Sequence, residues 1–243
     1  MKSGARREEI ATVARPGDMT APLLRTSHVH SKLRILGPML LAALCLAAPI
    51  GTFDDESAIA ESQTPGHTVF NSSFGEYTVT GTGDIGETSD GFHYVWKKVS
   101  GDVTIGADVR FAVNGAAGDR KAALMIRQTL DPRAPYAAAV LRGDGQAVFQ
   151  YRPDTGATSR SADVGAKTDL ASTVYVSLER RGDAFTMSAG KRLKRGGPVP
   201  FNAPTTLTMN GPVYVGLAVA SADPKAQETA VFGNVYVQPV TAQ

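Results

Sequence analysis

Residues Val140 to Arg152 read VLRGDGQAVFQYR, two alternating apolar and polar runs broken by Asp144-Gly145. A side chain on every second position faces the same way in an extended chain, so each run reads as a strand with one buried face. Asp-Gly between such runs is a hairpin signal, because a tight type I′ turn needs two residues at positive φ. The same stretch contains Arg142-Gly143-Asp144, the tripeptide that animal adhesion receptors bind, and it recurs as Arg181-Gly182-Asp183 within LERRGDAF. Both copies sit between alternating runs, Val174–Arg180 and Ala184–Ala189 in the second case. Gly and Asp are there as turn residues and Arg as the exposed end of a strand, so both read as bends.

The same reading extends outward. Asp102–Phe111, DVTIGADVRF, puts Val103, Ile105, Ala107, Val109 and Phe111 on one face. Further strands are expected at Glu76–Thr80, Phe92–Val99, Ala122–Thr129, Tyr136–Leu141, Gln146–Arg152, Val174–Arg181, Phe185–Ala189, Thr205–Met209, Val213–Ala220 and Thr229–Val237. Between them stand Asp131-Pro132, Pro153-Asp154, Asn210-Gly211-Pro212 and Asp223-Pro224. About ten short strands with turns at regular spacing and no helical period predict an all-β antiparallel two-sheet sandwich.

The chain of 243 residues is long enough for a substantial core, and its 42% apolar and 20% charged content is that of a globular protein. A net charge of +2 is too weak to argue for nucleic acid or a membrane surface, and no nucleic acid is expected as a partner. Cys45 is the one cysteine, so no internal disulfide is available. It lies in Ile35–Ile50, ILGPMLLAALCLAAPI, preceded by Arg25, Lys32 and Arg34. A basic flank and an apolar run shorter than the about 20 residues of a bilayer span fit a secretory signal. Ala47-Ala48 and Ala58-Ile59-Ala60 both offer small residues for a cut. A lipoprotein signal is disfavoured by the bulky Leu44. The expected organisation is a basic and signal or anchor region over residues 1–50, an acidic linker over 51–65 and one β-sandwich over 66–243. The expected location is the periplasm or the exterior, with an uncleaved inner-membrane anchor as the alternative and that segment as the only membrane contact.

Catalytic patterns are sparse. Gly81-Thr82-Gly83-Asp84-Ile85-Gly86 matches GxGxxG in letters only, since no helix is expected after it to present amides to a pyrophosphate. A glycosidase needs two carboxyl groups about 5–9.5 Å apart, and within the expected domain none of Glu76, Glu87, Glu179 and Glu228 stands with another acid at the i, i+2 spacing that would set both on one strand face. There is no GxSxG elbow, and His67 and His93 are the only histidines beyond the signal region. Asp84, Asp90 and Asp223 are loop carboxylates of a kind that ligates calcium, but without EF-hand spacing, so no cofactor is expected. A hydrolase is therefore the disfavoured reading, and no catalytic residue is assigned.

Two features point to binding. Phe92, Tyr94 and Trp96 alternate on one strand, and Arg127, Gln150 and Arg152 are planar polar groups on expected strands. A pyranose offers an apolar face for stacking and a hydroxyl rim for such groups, which makes Tyr94, Trp96, Arg127, Gln150 and Arg152 the candidate sugar contacts. The other feature is Lys191-Arg192-Leu193-Lys194-Arg195, a basic run suited to an anionic polymer or to plain solvation.

Several stretches resemble a known module. They are Asp84-Ile85 with Thr88–Val95, Ser100–Ile105, Lys121–Arg127, Phe149–Arg152, Val213–Val219 and Ala230–Val235. In this order they resemble the concanavalin A-like (laminin G / DUF1349-type) β-sandwich of exported bacterial proteins, found in carbohydrate-active chains and in chains called TolB-like. The resemblance spans about Gly66 to Val240. It implies a jelly-roll sandwich that binds polysaccharide without cleaving it at the cell envelope, or alternatively one that docks another envelope protein of a TolB-like system. Where relatives carry an Asp-Gly-x-x-Trp hairpin, this chain has AGKRLKRGG at 189–197 and no tryptophan.

Overall fold

The computed structural model describes residues 48–60, 64–112, 118–190 and 204–240. Fourteen strands follow in chain order: β1 Asp55–Ile59, β2 His67–Asn71, β3 Glu76–Gly83, β4 Phe92–Val99, β5 Val103–Phe111, β6 Lys121–Arg127 and β7 Tyr136–Arg142. Then come β8 Gln146–Arg152, β9 Arg160–Lys167, β10 Val174–Arg181, β11 Ala184–Gly190, β12 Thr205–Thr206, β13 Val213–Ala220 and β14 Asp223–Pro239. They form two antiparallel seven-stranded sheets, ordered β1-β4-β13-β6-β7-β8-β9 and β12-β11-β10-β5-β14-β3-β2. The fold is an all-β, jelly-roll-like sandwich, as the period-two pattern predicts. The core between the sheets takes one face of every long strand. On β5 that face is Val103, Ile105, Ala107, Val109 and Phe111, all buried, while Thr104, Asp108 and Arg110 point outward.

Both RGD sequences are turns, with a change of turn type. In the β7–β8 connection the Gly145 amide donates to Arg142 O at 3.0 Å and only Gly145 has positive φ, +87°. That is a type I turn closed by a glycine bulge rather than the expected type I′ turn. In the β10–β11 hairpin Gly182 takes φ +56° as the first of two loop residues, the position that a type II′ turn assigns to glycine.

Three strands lie outside the expected set. The stretch 51–65, expected as a linker, carries β1, which pairs with β4 from Asp55↔Trp96 to Ile59↔Phe92. Its acids, Asp55 and Glu56, are half-buried at a sheet edge, while Phe53 and Ile59 are buried and Phe53 packs edge-on against Tyr77 at 5.2 Å. Strands β2 and β9 are also edges, where one-sided burial weakens the alternation. Strand β12 keeps two of the five residues expected at Thr205–Met209, and β14 runs well past Thr229–Val237 by passing two bulges. Residues 1–47, which hold nearly all of the apolar run, and the basic run at 191–195 lie outside the described residues.

Candidate functional site

The outer face of the first sheet brings the sequence-derived candidates together. Its register sets Tyr94, Ala218, Ala123, Val140 and Val148 in one row, and Trp96, Gly216, Met125, Ala138 and Gln150 in the next. Lys98, Tyr214, Arg127, Tyr136 and Arg152 make a third. All five expected contacts therefore share one face. The middle of that face is floored by Ala and Gly, which leaves a trough. At Gly216 any side chain would run into the Val95 carbonyl and the Tyr94 ring.

The trough is filled from within. The loop Asp84–Gly91, between β3 and β4, crosses it and buries Ile85 against Ala123, Val140, Ala218 and Ala220. Arg152 holds the loop down. Its guanidinium donates to both Asp90 oxygens at 2.7 and 2.8 Å, to Gly86 O at 2.8 Å and to Glu87 O at 3.2 Å. It also reaches Pro132 O, Ala134 O and Ala157 O, joining three loops. Arg127 donates to Thr129 O at 2.7 Å and Asp131 O at 2.6 Å, with Asp90 Oδ2 at 3.5 Å. Burial pushes the Arg127 pKa down from its ordinary value and Asp90 opposes that. Burial likewise raises the Tyr94 and Tyr136 hydroxyls. The Tyr94 hydroxyl donates to backbone carbonyls, at 3.0 Å to Met125 O.

This corrects the sequence reading of the site. Tyr94, Arg127 and Arg152 are fully buried, so none of them is presented to an outside ligand; they carry the roof. A polar residue facing outward from a sheet is solvated only if nothing lies over that sheet. Gln150 donates to Ile85 O at 2.9 Å and Tyr136 Oη at 2.8 Å, and it borders open space. Trp96 stays half-buried, packs edge-on against Tyr214 at 4.9 Å and donates to Ser57 Oγ at 3.0 Å.

What remains open is a polar cleft of about 370 Å³ between the loop and strands β7–β9. Lys121, Arg142, Asp119, Glu87, Ser159 and Ser161 line it with Gln150. Lys121 Nζ donates to Asp84 Oδ1 at 2.6 Å and Ile85 O at 2.7 Å. Arg142 Nη2 donates to Asp119 Oδ1 at 2.6 Å, whereas its buried Nε has no hydrogen-bond partner and lies 4.0 Å from Asp144 Oδ2. Glu87 at φ +48° and Ala222 at φ +66° border the same cleft. Non-glycine residues held in this region cost about 1–3 kcal/mol each and concentrate at binding sites. Sequence reasoning missed Lys121 because it opens a strand like any end residue, and it noted Arg142 only as part of a tripeptide. Among the described residues no cluster of three His, Cys, Asp or Glu is placed to hold a metal.

No family model and no curated protein matches the chain. Solved structures do. A functionally unknown protein from Saccharomyces cerevisiae is 12% identical, with a TM-score of 0.55 over 80% of this chain and 100% of its own. The carbohydrate-binding module CBM66 from Bacillus subtilis is 18% identical, with a TM-score of 0.51 over 79% of this chain and 99% of its own. A Bacillus licheniformis β-glucanase is 12% identical, with a TM-score of 0.46 over 79% of this chain and 97% of its own. At these identities the similarity to the first two is one of fold, a jelly-roll-like β-sandwich.

Proposed function

We propose that this chain is an exported, non-catalytic carbohydrate-binding β-sandwich of the cell envelope, with the polar cleft beside the Asp84–Gly91 loop as its sugar site. The observation that carries the reading is the cleft's array of donors and acceptors, in which Lys121, Arg142, Asp119, Ser159, Ser161 and Gln150 line one open space. Sugar hydroxyls both donate and accept, so adjacent cations and carboxylates match them without a net charge being required. The likeness in fold to a carbohydrate-binding module supports the reading. Recognition through Gln150 keeps one expected contact and adds Arg142, Asp119 and Ser161.

The test is a glycan array followed by calorimetric titration, with Arg142→Ala alongside the unaltered chain. Binding of a soluble glycan that Arg142→Ala weakens about tenfold or more, the loss of one or two charge-assisted hydrogen bonds, supports the site. No binding by a folded chain sinks the carbohydrate reading and favours the envelope-protein alternative. Release of reducing ends from the bound glycan sinks the non-catalytic part.

A further inference from the structure

The two sheets have four edges: β1 and β9 in one, β12 and β2 in the other. An unpaired edge templates pairing with another chain unless it is short or charged. Strand β1 carries Asp55 and Glu56, β9 opens on Arg160 and ends on Lys167, and β12 has two residues. Strand β2, His-Thr-Val-Phe-Asn, has no Asp, Glu, Lys or Arg and no proline, and among the described residues no strand pairs with it beyond β3. It is also where the exposed apolar surface lies. Val69 on β2 is 54% exposed and Phe74 at the tip of the β2–β3 hairpin is 76% exposed, the large apolar side chains left open among the described residues.

We propose that β2 is a self-association edge, pairing antiparallel with β2 of a second copy across a two-fold axis at Val69. That register sets Val69 opposite Val69, Thr68 opposite Phe70 and His67 opposite Asn71, with no like charges facing each other. The same pairing of β1, centred on Ser57, would set each Glu56 opposite Ala58 and on the diagonal from the other copy's Glu56, a like-charge approach that β2 does not have. A two-fold interface must be complementary to itself, and this edge is. The pairing carries each hairpin tip past the other copy's His67 to the neighbourhood of Gly66. There an apolar pocket of about 220 Å³ lies, lined by Ala58, Ile59, Ala60, Gly66 and Phe92. The Phe74 ring of each copy fills the pocket of the other. One arrangement thus covers the uncharged edge, the exposed ring and the empty pocket.

The test is oxidative cross-linking of the full chain in a Cys45→Ser background, which removes the native thiol. Residues opposed across an antiparallel pair have Cα atoms about 4.5–5.5 Å apart, within disulfide range. Val69→Cys should give a disulfide-linked dimer as the main species. Asn71→Cys should not cross-link alone but should do so when mixed with His67→Cys. Thr206→Cys, exposed on the β12 edge, serves as the collision control. Cross-linking of Val69→Cys no greater than that of Thr206→Cys overturns the proposal. So does a chain that sediments as a monomer throughout the micromolar range. Phe74→Ser should weaken the dimer about tenfold or more, the worth of one buried ring; an unchanged dimerisation constant removes Phe74 and its pocket from the interface.

Discussion

Asp90 is where the outer face is most vulnerable. Its side chain is fully buried beside two fully buried guanidiniums, with Arg152 bound through both carboxylate oxygens and Arg127 at 3.5 Å. In Asp90→Asn the shape is kept, but two buried cations lose their one carboxylate and an amide N–H is turned toward a guanidinium N–H. Removing one partner of a buried ion pair costs about 3–5 kcal/mol, because the remaining charge stays desolvated. The seven-carbonyl shell around the two arginines keeps the loss toward the lower end. For a domain of this size the midpoint should fall by about 2–4 °C per kcal/mol, or about 6–20 °C in total. Urea titration followed through the single tryptophan, Trp96, reports on the same face. Arg110→Ala, which breaks the exposed Arg110–Glu76 contact at 3.6 Å, is the comparison and should cost below about 1 kcal/mol. If Asp90→Asn unfolds within about 1 kcal/mol of the parent, the arginines are not held by Asp90 and the account of the roof is wrong.

Two further outcomes follow from the described edges. Compared with a chain starting at Ala48, one starting at Glu61 loses the buried Phe53 and Ile59, about 1.5–3 kcal/mol each. Equal urea midpoints for the two would show β1 to be dispensable. His93, whose Nε2 bonds Glu56 Oε2 at 2.9 Å, has its pKa pushed below 6.5 by burial, with Glu56 opposing. The unfolded chain then binds the proton first, so stability falls as pH drops from 6.5 toward the folded-state value. Thermal midpoints against pH should slope less in His93→Gln, and identical slopes would discard the His93 contribution.

How much of this was legible depended on whether a residue's surroundings were local. Strand β5 was readable because its five inward side chains all lie in the core between the sheets, and the two RGD bends were readable because turn chemistry lies within four residues. Strand β1 was not, since a polar edge strand and an acidic linker have the same composition and only Phe53 and Ile59 separate them. The outward face of Arg127, Gln150 and Arg152 was readable from alternation. Their burial was not, because the loop that covers them joins β3 to β4 and meets Arg152 across more than sixty residues of chain. Asp90 was visible as a loop carboxylate, yet nothing near it in the sequence marks its partners.

The buried arginines and the open cleft are parts of one construction. Arg152 donates to Glu87 O at 3.2 Å and the Ser159 amide donates to the same oxygen at 2.8 Å, which clamps Glu87 in its unfavourable φ. Gln150 and Lys121 share Ile85 O from the cleft side. The wall of the cleft is thus tied to the sheet through carbonyls that arginine, glutamine and lysine hold from beneath, before any ligand arrives. Sugars are weak ligands because each hydroxyl must give up water that binds it nearly as well, so affinity depends on how little the protein must order itself on binding. A cleft wall fixed by buried guanidiniums meets that condition in a way that a ring of surface side chains would not. On this argument Arg152, with Arg127 supporting it through Asp90, positions the wall of the proposed sugar site without touching a ligand.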